Sequence, residues 1–224
     1  MNILGFPSTL AHAKHVKNHL FTEVKYIGRL TAGVFNSPGV ERHYPERGFM
    51  EKYYFSYAQI HTTIKNLAGD LADSGYKPDV IVAIGSGGFI PARILRTYIK
   101  RPILTAGLAY YDHNNQPTDI RQKVQWIDEV EKKLSGKNIL LVDEVDDSRA
   151  TLEYCRRELL SHKPREIAVM VLHNKLKPKK GALPGEIRHY FAGEELKDRW
   201  ICYPWDADDI EEHEAVSRSR ARPD

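Results

Sequence analysis

Apolar residues in this chain fall into short continuous runs of strand length. The runs DVIVAI, PILTAGL, ILLVD and EIAVMVL predict strands at 79–84, 102–108, 139–143 and 166–172. A run without alternation of apolar and polar residues is typical of a strand that is covered on both faces. Amphipathic stretches separate these runs. Strands that alternate with helices predict an α/β fold, with a mainly parallel twisted sheet and helices on both of its faces.

The first predicted helix is marked at both ends. Ser56 and Gln59 have the spacing of a capping box, in which each side chain satisfies a free amide of the first turn. Gly75 ends the helix. Its apolar stripe consists of Ile60, Ile64, Leu67 and Leu71. The other predicted helices are one with Pro91 near its first turn, one at about 149–161 and a terminal one at 207–220.

Polar, turn-rich segments connect these elements. Residues 110–122 have the composition of a mobile loop, and residues 173–185 form a basic loop. Short strands are predicted at 124–127, 188–193 and 199–203. Residues 1–49 lack a sustained period and are expected to be an N-terminal extension of unknown role. One domain is predicted to occupy residues 50–224.

Composition narrows the class of protein. The chain has 224 residues, 42% of them hydrophobic, which is enough for a sizeable core. A net charge of +3 does not by itself indicate nucleic-acid binding. Two cysteines are too few for a disulfide framework, so we expect reduced thiols in a cytoplasmic protein. No apolar run reaches membrane-spanning length, and the first 22 residues, which lack arginine, are interpreted as a tail rather than a transit peptide.

Several polar turns are expected to meet at one edge of the sheet, because ligands of open α/β sheets bind beyond the carboxyl ends of the strands. One such turn is GSGG at 85–88. Glycine lets the backbone approach a ligand closely, and successive amides can bind an anion. The same four residues are equally compatible with a plain tight turn.

A denser group of polar residues follows the strand at 139–143. The segment DEVDDSRAT places four carboxylates within five positions and then enters a helix. A polar turn with a helix cap at Ser148 or Asp147 is one interpretation. It leaves the clustered carboxylates unexplained, because their mutual repulsion requires a counter-charge. A hydroxyl-rich ligand with a divalent cation supplies that charge, and the helix N-terminus suits a phosphate.

These segments together resemble a known family. LLVDEVDDSRAT resembles the phosphoribosyl-diphosphate (PRPP) signature of type I phosphoribosyltransferases, and VIVAIGSGGFIPARIL resembles the diphosphate-binding loop of their 6-oxopurine branch. VLHNKLKPKK and DRWICYPWDADDIEEH resemble that branch's purine-recognition segments, nearest to the fungal xanthine enzymes. The resemblance runs from about Met50 to His213. It implies a small hood at about 173–206, above the sheet and built from loop and C-terminal segments.

The resemblance implies an activity and its participants. The protein would transfer 5-phosphoribosyl from PRPP to a 6-oxopurine, with xanthine favoured over guanine and hypoxanthine. Mg²⁺ would be the cofactor and a homodimer the expected assembly. Neither a membrane nor a nucleic acid is an expected partner.

The resemblance also implies roles for individual residues. Asp147 would exchange the proton at the purine N7, and Tyr111 would belong to a flexible loop that covers the reaction. The ribose and magnesium ligands would be Asp143 and Glu144, with Asp206 near a second magnesium. The diphosphate would be held by Gly85, Ser86, Gly87 and Gly88, and the 5′-phosphate by Asp147, Ser148, Arg149, Ala150 and Thr151. The purine would be bound by Lys175 at the 6-oxo oxygen, Trp200 by stacking and Ile201 through its backbone.

Two departures from the family pattern stand out. Ser148-Arg149 replaces a common Thr-Gly, so Arg149 either contacts phosphate or points to solvent. Ser86 stands where many members have a cation, and either Arg93 or a lysine from elsewhere is a candidate to replace that charge.

Two other functions stay open at this level. One is a regulator on the same fold that senses PRPP or nucleotide and contacts nucleic acid, in which case binding would weaken steeply with salt. Its supporting feature is a basic series: Arg156, Arg157, Lys163, Arg165, Lys175, Lys177, Lys179 and Lys180. The other, transfer to uracil or adenine, fits the Lys175 and Trp200 segments less well.

Overall fold

The structure is a computed structural model that describes residues 52–111 and 117–219, with backbone alone between 109 and 122. The predicted extension at 1–49 and the residues 50, 51, 112–116 and 220–224 lie outside the described residues. None of the helices in the described ranges has the length and apolar content that a membrane span requires.

Strands and helices alternate through the described residues. The strands are β1 (Lys52–Tyr54), β2 (Val80–Gly85), β3 (Ile103–Tyr111), β4 (Pro117–Gln125), β5 (Asn138–Asp146), β6 (Glu166–Leu176), β7 (Tyr190–Lys197) and β8 (Trp200–Cys202). The α-helices are α1 (Tyr57–Asp73), α2 (Phe89–Ile99), α3 (Val130–Leu134), α4 (Ala150–Ser161) and α5 (Ile210–Ser219). A single 3₁₀ turn lies at Pro204–Asp206.

The central sheet has six strands in the order β4-β3-β2-β5-β6-β7. All adjacent pairs are parallel except β3 and β4. The predicted α/β class and mainly parallel sheet are therefore confirmed. β2 and β5 are central, and the apolar side chains of β5 are almost fully buried, as their continuous hydrophobic runs predict.

Alternate residues of each strand supply two hydrophobic layers. Ile81 of β2 and Leu140 of β5 pack with the apolar stripe of α1 and with α2 on one face. Val82 and Leu141 pack with α4 on the other. Burial of each such side chain stabilises the fold by roughly 1.5–3 kcal/mol.

α1 begins as its sequence predicts. The Ser56 hydroxyl accepts from the Gln59 amide at 3.1 Å, and the Gln59 side chain accepts from the Ser56 amide at 2.8 Å. Gly75 follows the helix with φ 73°, a left-handed conformation that suits glycine.

The predicted mobile loop at 110–122 is wrong over most of its described part. β3 continues to Tyr111, and β4 begins at Pro117, directly opposite it. β4 also extends well before the short strand predicted at 124–127. β4 lies at the edge of the sheet, where polar residues and proline are tolerated, so its polar composition does not prevent strand pairing.

β6 also extends beyond its predicted end. It reaches Leu176 because β7 pairs beside it, with Lys175 opposite Leu196. Lys175 is therefore part of a strand and not of the basic loop predicted from residue 173.

A second, two-stranded sheet forms the hood. β1 pairs in parallel with β8, and Lys52 is opposite Trp200. α5 packs against β1, where His213 Nε2 donates to the Phe55 carbonyl at 2.9 Å. The hood predicted from loop and C-terminal segments thus also contains β1, which precedes α1 in the chain.

Candidate active site

The turns that follow β2 and β5 enclose a cavity of about 400 Å³ at the carboxyl edge of the sheet. It is lined by Ile84, Gly85, Ser86, Gly87, Leu108, Asp143, Glu144, Val145, Asp147, Ser148, Arg149, Thr151 and Leu152. Most of the predicted PRPP-binding residues therefore share one cavity. Gly88 and Ala150 are not among its lining residues.

Two glycines of the β2–α2 turn allow close packing against β5. A Cβ atom on Gly87 would lie 2.0 Å from the carboxyl carbon of Glu144. A Cβ atom on Gly88 would lie 2.6 Å from the Val142 carbonyl oxygen and 2.7 Å from that of Ile84. Gly87 thus makes room for a side chain, whereas Gly88 makes room for the backbone.

An acid pair lies at the end of β5. Asp143 is buried, and its Oδ1 accepts from the Glu144 amide at 3.0 Å. Burial, together with the nearby Glu144 carboxylate, holds the pKa of Asp143 well above its usual range. Both effects disfavour a second negative charge at this place, so a bound cation would relieve them.

Glu144 also interacts with Tyr203 and Asp206, two residues that follow β8. The Tyr203 hydroxyl donates to the Glu144 carbonyl at 3.1 Å. Burial raises the pKa of Asp206, and the charge of the Glu144 carboxylate raises it further. Glu144 Oε2 is buried without a hydrogen-bond partner within the described residues. An orphaned carboxylate oxygen of this kind fits a Mg²⁺ ligand.

Among the described side chains, no group of three or more His, Cys, Asp or Glu is arranged to hold a metal ion. Mg²⁺ commonly binds to one or two carboxylates plus water and substrate oxygens. The pair of Asp143 and Glu144 therefore fits a site that substrate completes.

Asp146 faces the protein interior, unlike its neighbours. Its side chain is fully buried, and its Oδ2 lies 2.9 Å from Nε and 2.8 Å from Nη2 of Arg149. The Tyr190 hydroxyl donates to the same oxygen at 2.7 Å, and Lys179 Nζ lies 3.4 Å from Oδ1. This carboxylate is therefore neutralised by the protein itself and faces away from the cavity.

The Arg149 guanidinium does not point freely to solvent, and a contact of this residue with phosphate stays a prediction. Its guanidinium is bound to Asp146 and lies over the Tyr190 ring, 5.6 Å from the centroid. It also lines the cavity, where it is the only cation among the lining residues. Its backbone is left-handed, with φ 67°, at the residue that precedes α4.

Asp147 belongs to a ring of four charges. Lys175 Nζ lies 3.3 Å from Asp147 Oδ1 and 3.6 Å from Asp198 Oδ1. Lys177 Nζ forms an ion pair with the same Asp147 oxygen and lies 3.0 Å from Asp198 Oδ1. Partial burial acts to raise the pKa of Asp147, but Lys177 and Lys175 outweigh it and the pKa is lowered.

The comparison with known families identifies the family of this chain. The model of the phosphoribosyl transferase domain matches residues 56–202. This chain belongs to the phosphoribosyltransferases.

Relatives with assigned activities agree with the family. The chain is 40% identical over 193 residues to hypoxanthine-guanine phosphoribosyltransferase of Schizosaccharomyces pombe, covering 73% of this chain and 93% of the relative. It is 38% identical over 202 residues to xanthine phosphoribosyltransferase 1 of Saccharomyces cerevisiae, covering 76% and 97%.

Solved structures share the fold of this chain. A hypothetical protein from Neisseria gonorrhoeae, crystallised with bound ppGpp, is 46% identical with a TM-score of 0.71, covering 77% of this chain and 98% of that one. A purine phosphoribosyltransferase from Pyrococcus horikoshii is 26% identical with a TM-score of 0.57, covering 72% and 97%.

The hood residues of this phosphoribosyltransferase lie beside the cavity, not among its lining residues. Trp200 is 52% exposed, which leaves a face of its ring accessible, and Ile201 is half-buried. Trp200 follows Asp198 by two residues, and Asp198 contacts Lys175 of the Asp147–Lys175 pair. For Tyr111 the structure describes only the backbone, at the end of β3.

Arg93 is exposed on α2 and is not among the lining residues, so the guess that it replaces a cation at Ser86 gains no support.

The basic series of this phosphoribosyltransferase does not form one exposed face. Arg156 is buried, and its guanidinium donates to the carbonyls of Ile167 at 2.6 Å and Pro184 at 2.7 Å. Lys175 and Lys177 belong to the charged ring, and Lys179 is turned onto Asp146. These four side chains serve the fold or the site, which weakens the support for a nucleic-acid-binding regulator. The rest of the series is exposed: Arg157, Lys163, Arg165 and Lys180.

Sequence reasoning missed Asp198 and Tyr190 as parts of the site, and it placed Lys177 only in the basic series. Lys175, Lys177 and Lys179 alternate along the chain, which is a weak signal that one side of this segment faces inward. Asp198 and Tyr190 give no signal, because they reach the site only through the pairing of β7 with β6.

Proposed function

We propose that this protein transfers the 5-phosphoribosyl group of PRPP to a 6-oxopurine base, releasing diphosphate and forming the nucleoside 5′-monophosphate. One observation carries the proposal: the Asp147 carboxylate and the Lys175 ammonium lie 3.3 Å apart at the rim of a cavity lined by an acid pair and a helix N-terminus. An acceptor beside a donor matches the neighbouring N7–H and 6-oxo oxygen of such a base.

PRPP would occupy the cavity with its charged groups distributed over three segments. The amides and hydroxyls of 148–151 suit the 5′-phosphate, because the free amides at the start of α4 point outward from the helix. Asp143 and Glu144 suit the ribose hydroxyls. The backbone of 85–88 suits the diphosphate.

Mg²⁺ would be held by Asp143 and Glu144, with Asp206 near a second ion. When bound, it would neutralise the diphosphate as that group leaves. The negative charges of Asp143 and Glu144 are unfavourable at the end of β5 unless a cation is bound there.

The base would enter between the cavity and the hood. Lys175 would donate to the 6-oxo oxygen, Trp200 would stack on the ring, and the Ile201 backbone would meet its edge. Asp147 would accept the N7 proton while N9 bonds to the anomeric carbon, so that the base becomes a better nucleophile as the bond forms. The hairpin end that carries Tyr111 would cover the reacting sugar and exclude water.

Rates with a panel of bases test the proposal. Xanthine, guanine and hypoxanthine should each give nucleotide with PRPP and Mg²⁺, with xanthine the best substrate. Adenine and uracil serve as controls, since neither presents a 6-oxo group beside N7–H, and they should react at least about a hundredfold more slowly. Adenine as fast as the 6-oxopurines would contradict the assigned role of Lys175.

A second ligand is suggested by the relative crystallised with ppGpp. We propose that ppGpp binds the PRPP cavity of this protein and inhibits the reaction, because it combines a 6-oxopurine with ribose phosphates. Inhibition competitive with PRPP is the expected result. GMP, the product formed from guanine, lacks the additional phosphates and should compete more weakly than ppGpp. Inhibition that high PRPP does not overcome would contradict binding in this cavity.

We also expect a homodimer, as the family resemblance implies. Light scattering of the purified protein would measure it, and a monomer mass would contradict the expectation.

A further inference from the structure

Two side chains with no assigned role hold the proposed base-recognition pair in place. Asp147 and Lys175 contact each other, and each also contacts the opposite charge on a second residue. Lys177 is the second partner of Asp147, and Asp198 is the second partner of Lys175. Lys177 and Asp198 close the ring at 3.0 Å.

The backbone explains how Lys177 reaches Asp147. The Lys177 amide donates to the Lys175 carbonyl at 2.9 Å, a tight turn directly after β6. Lys179 Nζ donates to the same carbonyl at 2.8 Å and to the Asp146 carbonyl at 2.5 Å. These bonds tie the end of β6 to the end of β5, so Lys177 is held beside Asp147.

The two acids of the ring are more exposed to solvent than Lys175 is. The Lys175 side chain is only 10% exposed, whereas those of Asp147 and Asp198 are 46% and 45% exposed. A largely buried ammonium needs a carboxylate, and Asp198 continues to supply one when Asp147 turns to the substrate. In the same way Lys177 keeps a cation beside Asp147 when Lys175 donates to the base.

We propose that Lys177 and Asp198 are positioning residues for purine recognition: Lys177 keeps the Asp147 carboxylate ionised and oriented, and Asp198 keeps the Lys175 ammonium oriented. The proposal rests on the proposed function, since it concerns the same base-binding pair. It assigns no contact between Lys177 or Asp198 and the substrate.

The charged groups around Asp147 fix the expected pH effect. Lys175, Lys177 and Lys179 come from β6 and the segment after it, Asp198 from the turn before β8, and Arg149 from the start of α4. Burial disfavours the charged form of Asp147, and the nearby lysines oppose this effect. Without the Lys177 cation, that opposing effect is weaker. The pKa of Asp147 should then rise, and activity that needs the ionised carboxylate should be lost at a higher pH than in the wild type.

The variants are Lys177→Met, which keeps the length of the side chain without its charge, and Lys177→Arg, which restores the charge. Lys177→Met should raise the KM for the purine about tenfold, leave the KM for PRPP unchanged and move the acid limb of kcat/KM to higher pH. Lys177→Arg should recover most of both effects. The control is Lys180→Met, because the Lys180 side chain is exposed on the same segment and outside the ring, and it should behave as the wild type.

Asp198→Asn is the second variant, and it keeps the proposal testable if Lys177→Met does not fold. It should raise the KM for the purine without moving the acid limb to higher pH, because it removes an anion and not a cation from the surroundings of Asp147. An active wild type with an unchanged purine KM and acid limb in both variants would overturn the positioning roles and leave the proposed function intact. A wild type that converts no 6-oxopurine would overturn both. An equal rise of both KM values with a lowered Tm would also overturn the positioning roles, because it would show general damage to the fold.

Discussion

Two nitrogens of the Arg149 guanidinium lie 2.8 and 2.9 Å from one carboxylate oxygen of Asp146, which is completely buried. Arg149 has a left-handed backbone at the start of α4, with φ 67°. A non-glycine residue in that conformation costs about 1–2 kcal/mol. The ion pair offsets this cost, and it holds the backbone that presents the α4 amides to the cavity.

Replacement of Arg149 should separate these two contributions. Arg149→Gly relieves the backbone but leaves Asp146 with Tyr190 and Lys179 alone, so we expect a net loss of about 1–3 kcal/mol in the free energy of unfolding. Arg149→Ala loses the ion pair without the relief and should be about 1 kcal/mol less stable than Arg149→Gly. Urea denaturation measures both. A glycine variant more stable than the wild type would show that the ion pair does not offset the backbone cost.

Asp147 should matter more for turnover than for binding of either substrate. Asp147→Ala removes the acceptor of the N7 proton, and the loss of a positioned general base lowers kcat by about 10²–10⁴. Steady-state kinetics with saturating PRPP and xanthine measures the effect. Unchanged turnover would remove Asp147 from the chemistry.

Two adjacent glycines should respond differently to alanine. The new methyl of Gly87→Ala meets only the carboxyl end of Glu144, which is flexible enough to move aside. Stability should change little, but the displaced carboxylate should weaken the dependence of the rate on Mg²⁺. The methyl of Gly88→Ala meets backbone carbonyls, which cannot move as easily, and it should cost about 1–3 kcal/mol. Thermal unfolding and a Mg²⁺ titration of the rate separate the two cases; equal loss of stability in both variants would contradict this assignment.

The acid pair of Asp143 and Glu144 should lower the free energy of unfolding when no cation is bound. Because the pKa of Asp143 is raised, the folded protein binds this proton more tightly than the unfolded chain does. Stability therefore falls as the pH rises above about 4, where the unfolded group ionises. Asp143→Asn should stabilise the protein free of Mg²⁺ by about 1–3 kcal/mol at pH 7, with the gain disappearing towards pH 4.

The same Asp143→Asn variant should be nearly inactive, because it lacks the carboxylate for ribose and Mg²⁺. Asp73→Asn, at an exposed position in the last turn of α1, is the control and should change neither stability nor rate. A gain in stability that persists at pH 4 would contradict an origin in the ionised carboxylate.

Much of the fold could be predicted because local signals and tertiary structure agree. The continuous apolar runs of β2 and β5 are buried on both faces, and the capping box at Ser56 begins α1 as expected. Strands of this kind have few alternatives, since any other placement would expose their side chains to water.

The elements that were missed depend on partners far away in the chain. β1 has three residues, too few for a periodic pattern, and its partner β8 lies almost 150 residues later. β4 is polar and lies at an edge, so it resembles a loop in composition. In both cases the strand exists because of its neighbour and not because of its own sequence.

The candidate site was predicted in its residue types more than in its contacts. The carboxylates at the end of β5 and the glycines after β2 carry their own signals. The inward turn of Asp146 could not be predicted, because a pattern of four acids does not indicate which of them is buried in the interior. Asp146 depends on Tyr190 from β7, and no local pattern links the two.

The pairing of β1 with β8 predicts the effect of removing the residues up to Tyr54. A shorter polypeptide that started after Tyr54 would retain every strand of the six-stranded sheet and both turns proposed to bind phosphate. It would lack the only strand that pairs with Trp200–Cys202 within the described residues. Such a shortened protein should still retain PRPP, yet it should be unable to deliver the sugar to a nucleobase.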